Sequence, residues 1–324
     1  MASLDTFIDE KQLLEEMGFF KRSTIIVIVV LPFLATLYAL CSKWAGLTDI
    51  LVFLLMYCST GLGITVGYHR LLTHRSFVTY NWIRYLLAIL GTASAQGSVL
   101  TWVSDHRKHH KYTDKPGDPH SPHLVLREED GLFPTIELPK RRRGTLTTVW
   151  KYTKGLTHAH VGWLMSEREI SDWRIYAKDL YEDPGLRAIT HHSTGIVFSG
   201  LLLPGIISGL LTSSWEGIVS GVLWGGLIRM FLLHHVTWSI NSICHFSGTR
   251  DYQTEDYSTN VTWLSIPSLG ESWHNNHHAF PRSACHGLKP GQVDISYMVI
   301  RLLEITGLAW NVMRYNEGEG PHLG

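Results

Sequence analysis

Long runs of apolar residues alternate along the chain with segments that are rich in polar and charged residues. Four of these runs are long enough to cross a bilayer as helices, and they cover residues 24–41, 49–68, 189–211 and 217–240. The connectors at 42–48 and 212–216 are short, so each pair of runs is expected to form a hairpin. The pattern therefore predicts an all-α membrane protein with four transmembrane helices in two hairpins.

Three polar segments lie outside the hairpins. The hairpins cover 24–68 and 189–240, and the polar segments are 1–23, 69–188 and 241–324. Four crossings place all three segments on the same side of the membrane. That side carries the basic run at 140–143, whereas the opposite connectors carry only Lys43. By the positive-inside rule we expect the polar segments in the cytoplasm, where they would form a helical cap over the transmembrane helices.

The composition agrees with this division. Hydrophobic residues make up 45% of the 324 residues and charged residues only 17%, which indicates membrane segments. Lys+Arg and Asp+Glu are equal at 28 each, so no global charge suggests a nucleic-acid partner. The four cysteines form no C-x-x-C pair, and we interpret them as buried thiols rather than a disulfide framework. No cleavable signal peptide is evident in the polar first 23 residues.

Histidine is the main candidate for chemistry. Three short boxes, HRLLTH, HRKHH and HNNHH, hold eight histidines: His69, His74, His106, His109, His110, His274, His277 and His278. Among protein side chains, the neutral imidazole of histidine is the commonest metal ligand. Because a catalytic zinc uses about three protein ligands, eight imidazoles predict two metal ions rather than one. Imidazole alone leaves iron, zinc, copper and nickel open.

The spacing inside the boxes predicts where the rings point. In each H-x-x-H-H box, positions i, i+3 and i+4 share a helix face, so three rings should point the same way. His69 and His74 are five residues apart, so their side chains would point in directions roughly 140° apart around a regular α-helix. We therefore expect one of them at the end of the second span and the other beyond it. Asp105 and Glu271 lie beside their boxes and are candidates to accept the second ring N–H of a ligand, or else ordinary surface carboxylates.

A further apolar stretch at 85–103 is ambiguous because it contains Gln96 and several small residues. As a fifth span it would put HRLLTH and HRKHH on opposite sides of the membrane, where they could not share a metal. We interpret it as a pair of interfacial or cytosolic helices.

The three boxes, GYHR before the first and NHHAFPRS after the third resemble the membrane fatty-acyl desaturases of the stearoyl-CoA (acyl-CoA delta-9) type. The resemblance extends from about residue 62 to 289, includes the four-span layout, and implies one desaturase domain at about 50–290. It implies an oxidoreductase that uses O₂ and a di-iron centre, held by the cap, to put a cis delta-9 double bond into a saturated acyl chain carried on CoA or lipid. It implies no catalytic residues beyond the metal ligands.

The resemblance also assigns residues that the boxes do not contain. In the segment NSICH it makes His245 a ninth ligand and Asn241 the holder of a metal-bound water, and their i, i+4 spacing puts both on one helix face. It places Gln96, Trp102, Thr237 and Trp238 at the bend of an acyl tunnel, although a Trp at a membrane boundary is also a common interface anchor. His234 lies within the fourth span, and we hypothesise that it is a polar partner beneath this tunnel.

Desaturation of an unactivated methylene pair needs an oxidant made from O₂ at reduced iron, and two electrons from outside. The chain shows no convincing nucleotide motif and has no room for a haem domain, so we expect a separate ferredoxin-like or cytochrome b-type donor. The acyl carrier stays open, because Arg107, Lys108, Lys111 and Lys115 would suit CoA or lipid phosphate equally.

Three alternatives remain at this point. A membrane hydroxylase, alkane monooxygenase or aldehyde decarbonylase would share the histidine boxes. A metal transporter would place its histidines within the spans, whereas these boxes lie outside them. A bis-histidine haem protein is the third alternative.

Overall fold

The structure is a computed structural model that describes residues 10–42, 45–123, 146–165 and 171–315. The basic run at 140–143 and Lys43, on which the predicted orientation depends, lie outside the described residues. The described chain is mostly helical, as predicted, and its strands are two residues long.

The elements follow one another along the chain in this order. The helices are α1 (Glu10–Ser42), α2 (Leu47–Leu62), α3 (Asn81–Ala93), α4 (Val99–Tyr112), α5 (Leu146–His160), α6 (Trp173–Tyr176), α7 (Lys178–Tyr181), α8 (Pro184–His191), α9 (Ser193–Thr212), α10 (Trp215–Gly221), α11 (Arg229–Ser242), α12 (His274–Ala279) and α13 (Ile295–Ile305). Two π-helical segments, Gly63–Thr73 and Val222–Ile228, continue α2 and join α10 to α11, and short 3₁₀ turns cover Gly162–Met165 and Thr262–Leu264. The strands β1 (Val78–Thr79) and β2 (Ala309–Trp310) pair antiparallel.

Four helical stretches are long and apolar enough to cross a membrane: Arg22–Ser42, Leu47–Thr73, Ser193–Thr212 and Trp215–Ser242. Their number and order confirm the sequence prediction, but two of the bounds differ from it by more than two residues. The second stretch continues past 68 because the helix goes on in π geometry to Thr73. The third stretch begins at Ser193 rather than at 189. Asp183 and Pro184 start a separate helix, α8, which ends at His191, and the backbone of His192 is not helical.

The spans pack differently from two independent hairpins. The connectors are as short as predicted, but α1 makes its main contacts with the fourth span, and the rings of Phe33 and Phe231 lie 6.0 Å apart there. The third and fourth spans pack on each other, and the fourth span also contacts α2. The fourth span is therefore the central helix of the membrane part.

The ambiguous stretch at 85–103 is a helix pair, as we interpreted it. A turn with positive φ at Ala95 (62°) and Gly97 (115°) separates α3 from α4, and the Ser98 hydroxyl caps the first turn of α4. Neither helix is among the four candidate spans. The second histidine box is thus carried on the same side of the spans as the first.

The π-helical segment Gly63–Thr73 is buried along its whole length. It lies so close to α3 that a Cβ on Gly63 would overlap the backbone nitrogen of Gly91, and a Cβ on Gly91 would overlap the ring of Tyr68. The Tyr68 hydroxyl also bonds the Thr92 hydroxyl at 2.7 Å. These contacts fix the first histidine box against α3.

Arg229 is a fully buried cation in the fourth span. Its guanidinium donates to the carbonyls of Gly225, Ala93 and Gly200 at 3.2, 3.3 and 3.0 Å. Backbone carbonyls, rather than a carboxylate, therefore solvate this charge, and one of them belongs to the C-terminal end of α3.

Candidate metal centre

The nine predicted histidine ligands meet in two adjacent clusters. The five-histidine cluster consists of His69, His74, His106, His110 and His277, and the four-histidine cluster of His109, His245, His274 and His278. Within each cluster every ring contributes one nitrogen, and these nitrogens all lie within 4.8 Å of one another. Residues from the second span and the position after it, from α4, from the turn after the fourth span and from α12 build the pair of clusters.

Each H-x-x-H-H box divides between the clusters, which corrects the expectation that its three rings point to one place. His106 and His110 belong to the five-histidine cluster, and His109 between them belongs to the other. In α12 the assignment is reversed, since His274 and His278 belong to the four-histidine cluster and His277 to the other. The i, i+4 rings stay together and the i+3 ring lies on the adjacent flank, so one short helix serves both clusters.

The first box works differently because its backbone is π-helical. The backbone N–H of His74 donates to the carbonyl of His69 at 3.1 Å, an i to i+5 bond, and the two rings lie 4.8 Å apart. His69 is on the helix and His74 follows its last residue, as expected from the sequence. The 140° offset does not apply, because π geometry brings residues five apart to one face.

Four carboxylates accept ring N–H groups of the ligands. Nδ1 of His109 donates to Asp118 at 2.9 Å, Nδ1 of His245 to Asp114 at 3.0 Å, and Nδ1 of His278 to Asp256 at 3.0 Å. The fourth is Glu271, which contacts Nδ1 of His69. These bonds fix the tautomer so that Nε2 of each ring is free to bind a metal.

Of the two carboxylates proposed for this role from the sequence, Glu271 contacts a predicted ligand, and that ligand belongs to the first box rather than the third. A carboxylate oxygen of Asp105 lies 3.4 Å from the backbone nitrogen of Ser171. Sequence reasoning missed Asp114, Asp118 and Asp256. The first two closely follow the second box, which is a usable signal, whereas nothing in the sequence points to Asp256.

Burial keeps most of the ligand rings neutral. It lowers the pKa well below the usual histidine value for His74, His106, His109, His110, His274 and His277. Burial acts the same way on the pKa of His245, but Asp114 outweighs it and the pKa is raised. A neutral imidazole is the form that binds a metal.

The carboxylates are held in their ionised form by these rings. Burial raises the pKa of Asp114, Asp256 and Glu271, but their histidine partners outweigh it and all three pKa values fall below the usual range. Burial raises the pKa of Asp118, yet both of its oxygens accept N–H groups, from His109, His120 and Asp114. No proton on Asp118 is therefore needed for hydrogen bonding.

The ring nitrogens in the clusters fit metal ions. Nε2 of His245 and Nε2 of His278 each lie 3.0 Å from Nε2 of His274. Since His245 and His278 use their Nδ1 protons on carboxylates, their Nε2 atoms present lone pairs, and His274 can donate to at most one of them. Nε2 of His109 is buried without a hydrogen-bond partner. A cation at the centre of the cluster satisfies all of these groups.

A long cavity of about 530 Å³ runs from the first span to His106 of the five-histidine cluster. Its wall contains all four predicted tunnel residues, Gln96, Trp102, Thr237 and Trp238, together with His106 and Asn241. A smaller cavity of about 50 Å³ shares Trp102, His106, Thr237 and Asn241 with it and continues between the second and fourth spans. Asn241 thus faces both cavities beside the clusters.

A separate polar cavity of about 300 Å³ lies against the clusters and shares no lining residue with the two apolar ones. Its wall includes His74, His110 and His278, so it reaches ligands of both clusters, and Arg107 and Asp256 line it as well. The apolar cavities therefore reach one set of these histidines, and the polar cavity reaches a different set.

Three other buried histidines form hydrogen bonds outside the two clusters. Nε2 of His123 donates to the His245 carbonyl at 2.7 Å, and Nε2 of His234 donates to the Ser94 carbonyl at 2.8 Å. His286, which the sequence analysis overlooked, stands with His69 and Glu271, but the guanidinium of Arg70 already bonds both His286 and Glu271. Arg70 therefore occupies the position that a metal ion would need between His286 and Glu271.

Comparison with known proteins gives a family for this site. The fatty acid desaturase model matches residues 42–293. The chain is 40% identical over 286 residues to hex-5-enoyl-[acyl-carrier protein] acetylenase of Moorena producens, which covers 87% of this chain and 83% of that protein. It is 38% identical to sn-1 stearoyl-lipid 9-desaturase of Anabaena variabilis (83% and 85% covered) and 39% identical to delta-9 acyl-lipid desaturase 1 of Arabidopsis thaliana (83% and 76% covered). The predicted oxidoreductase class is thereby confirmed, and the chain belongs to the fatty acid desaturase family.

Proposed function

We propose that this desaturase inserts a cis delta-9 double bond into a saturated acyl chain of a membrane lipid. The observation that carries the proposal is the long apolar cavity that ends beside the two histidine clusters. Thr24, Ile25, Ile28 and Val29 of the first span line this cavity, so an acyl chain can enter it from the membrane. The relatives named as stearoyl-lipid and acyl-lipid 9-desaturases favour lipid over CoA as the carrier.

The two clusters are proposed to hold one iron ion each, in a single desaturase domain at about 50–290. His69, His74, His106, His110 and His277 would bind one ion, and His109, His245, His274 and His278 the other, with Asn241 acting through a water. Bound iron would supply the oxidising chemistry with O₂ that a side chain alone lacks. All other groups of the site bind, orient and exclude water.

The cavity residues position the acyl chain. The Trp102 ring stacks on His106 with centroids 5.1 Å apart, so the tunnel wall touches a metal ligand directly. Gln96, Thr237 and Trp238 line the same cavity and would bend the chain so that one methylene pair faces the clusters. Apolar lining on this side keeps bulk water away from the reacting carbons.

The proposal places the clusters on the cytoplasmic side, in a helical cap that includes α4 and α12. Electrons would come from a separate ferredoxin-like or cytochrome b-type protein. The polar cavity at His74, His110 and His278 supports an approach for water and protons that does not cross the acyl cavity.

Expression in a host that lacks delta-9 desaturase tests the proposal. The wild type should yield delta-9 monounsaturated chains in the lipid fraction, O₂-dependently, while His245→Ala should yield none and the exposed His191→Ala should match the wild type. Mapping the double bond separately in lipid, CoA and acyl-carrier-protein pools identifies the carrier.

Other products would overturn the proposal. A hydroxylated chain would favour the hydroxylase or alkane monooxygenase alternative, and metal flux in vesicles without O₂ consumption would favour a transporter. A triple bond formed from a monounsaturated chain would place the protein with the acetylenase relative.

A further inference from the structure

The two histidine clusters differ in the charge that surrounds them. Three carboxylates, Asp114, Asp118 and Asp256, accept Nδ1 protons from ligands of the four-histidine cluster. In the part of the chain that the structure describes, one carboxylate, Glu271, serves the five-histidine cluster in this way.

A buried cation contacts that carboxylate and shares its charge with a second one. The guanidinium of Arg70, whose side chain is fully buried, lies 3.0 Å from Oε1 of Glu271 and 2.9 Å from Asp294. Arg107 adds a second cation beside His74 and His110 on the wall of the polar cavity, paired there with Asp179.

Within the described ranges of the chain, no arginine or lysine side chain contacts a carboxylate of the four-histidine cluster. Arg250 lies nearby, but its guanidinium donates to the backbone carbonyl of Asp256, not to the carboxylate. The Asp114 carboxylate accepts from the Ser121 hydroxyl and from the backbone N–H of Tyr257, which are neutral donors. Among the described residues, the negative charge at this cluster is thus stabilised by hydrogen bonds rather than cancelled.

A carboxylate on the far nitrogen makes an imidazole a more basic ligand and adds negative potential at the metal. The effect is strong where the groups are buried, because the local dielectric is low. Both contributions favour the more highly charged ferric form over the ferrous form.

We propose that the four-histidine cluster favours the ferric ion and that the five-histidine cluster accepts the first of the two electrons from the external donor. Asp114, Asp118 and Asp256 act as tuning residues through the histidines they touch. The inference rests on the proposed di-iron function. One electron converts one ferric ion to ferrous at the five-histidine cluster, and the second electron then reduces the other.

Stepwise reduction of the purified iron-loaded protein with dithionite, followed by Mössbauer spectroscopy, tests this order. Asp118→Asn and Asp256→Asn remove charge but keep shape, so both should make the second reduction easier by about tenfold per carboxylate, equivalent to about 59 mV, and leave the first unchanged. Glu271→Gln should shift the first reduction instead. Glu255→Gln, an exposed neighbour of Asp256 that pairs with Lys115, is the matched control and should shift neither.

A second measurement guards against variants that lose iron. Cobalt(II) is titrated into the metal-free protein, and its binding is followed by d–d absorption. Asp256→Asn should weaken binding at the tighter of the two sites, and Glu271→Gln should weaken binding at the other site. The inference is overturned if the aspartate variants shift the first reduction, or if all variants shift both steps equally, while two irons are bound and the enzyme turns over. A wild-type protein that binds no iron would instead overturn the proposed function together with the inference.

Discussion

Gln96 and Thr237 meet at the wall of the acyl cavity, where Nε2 of Gln96 donates to Oγ1 of Thr237 at 3.1 Å. Gln96 belongs to the turn between α3 and α4, and Thr237 belongs to α11. The Thr237 hydroxyl in turn donates to the Leu233 carbonyl at 3.0 Å, which leaves its oxygen free to accept. This hydrogen bond therefore links the turn between α3 and α4 to α11, beside Trp102.

Thr237→Val should loosen this part of the cavity, because valine keeps the shape of threonine but removes the acceptor. We expect a loss of about 1 kcal/mol of stability and a second product with the double bond displaced from the main position. Mass-spectrometric mapping of double bonds in the host lipids measures the change. Gln96→Leu should act similarly, and the double variant should add little beyond either single one.

The matched control for Thr237 is Thr36→Val. Thr36 lies in the first span and also donates to the carbonyl four residues earlier, at 2.8 Å, but it does not line the cavity. Its product profile should equal that of the wild type. Equal profiles for both valine variants would contradict a positioning role for the Gln96–Thr237 bond.

Gly63→Ala should displace α3 from the first histidine box. A methyl group at Gly63 overlaps the backbone of Leu90 and Gly91, and backbone atoms cannot rotate away. We expect a cost of about 1–3 kcal/mol, seen as a lower melting temperature in detergent, together with weaker iron retention.

Gly195→Ala is the control for this substitution, since a methyl group there meets nothing within 4 Å. It replaces glycine in another span and should leave both the melting temperature and the iron content near wild-type values. If Gly63→Ala behaves like Gly195→Ala, the close approach of the two helices does not support the metal centre.

The spans and the eight histidines of the three boxes were predictable from local spacing, whereas His245 was predicted from the family resemblance. Apolar runs gave four spans, and the i, i+3, i+4 pattern brought six histidines onto two short helices. The offset between His69 and His74 was misjudged, because nothing in the sequence marks where a helix changes from α to π geometry. That change depends on the packing of Gly63–Thr73 against α3.

The charged environment of the metal centre could not be predicted in the same way. Asp256 reaches His278 from a loop, and Arg70 reaches Asp294 across 224 residues of sequence. Such pairs are set by tertiary packing, and a carboxylate distant from a box looks the same in sequence as any exposed one. The division of each box between two clusters has the same cause, because the partner ligands come from other helices.

Asp179 should make the protein sensitive to acid. Burial raises the pKa of its carboxyl, but hydrogen bonds from Arg107 and Arg75 outweigh this and lower the pKa from 3.8 to about 2. A carboxyl with a lowered folded pKa contributes stability above its unfolded pKa and loses it as the pH falls toward 2. Arg107 also donates to the Leu72 carbonyl at 2.8 Å, so this contact joins α4 and α7 to the end of the first box.

Melting temperatures of wild type and Asp179→Asn, measured in detergent between pH 7 and pH 2, check this expectation. The variant should melt lower at neutral pH, by an amount that is modest because Asp179 is partly exposed, and the difference should shrink below pH 3.8. Asp172→Asn, whose carboxylate lies 3.6 Å from the Arg174 guanidinium, should give a smaller difference. If the difference in melting temperature between the wild type and Asp179→Asn is as large at pH 2.5 as at pH 7, the assignment is contradicted.

His234 should determine which acyl chains the cavity accepts. Its side chain is buried in the fourth span and lines the cavity, and its Nε2–H donates to the Ser94 carbonyl, the residue that ends α3. Because Ala95 and Gln96 follow directly, this bond fixes the turn that carries the cavity wall. His234→Leu leaves a buried carbonyl unpaired at a cost of about 1–3 kcal/mol and releases the turn, so the preferred chain length should change.

Competition between acyl chains of different length, supplied to the desaturase-deficient host, measures this preference. His234→Gln restores a donor and should recover part of the wild-type profile, which a purely volume-filling role would not produce. His191→Leu, at an exposed position, should leave the profile unchanged. A His234→Leu variant with wild-type activity and chain-length preference would show that the cavity wall is held without this bond, and that Arg229, which donates to the neighbouring Ala93 carbonyl, is sufficient to fix the end of α3.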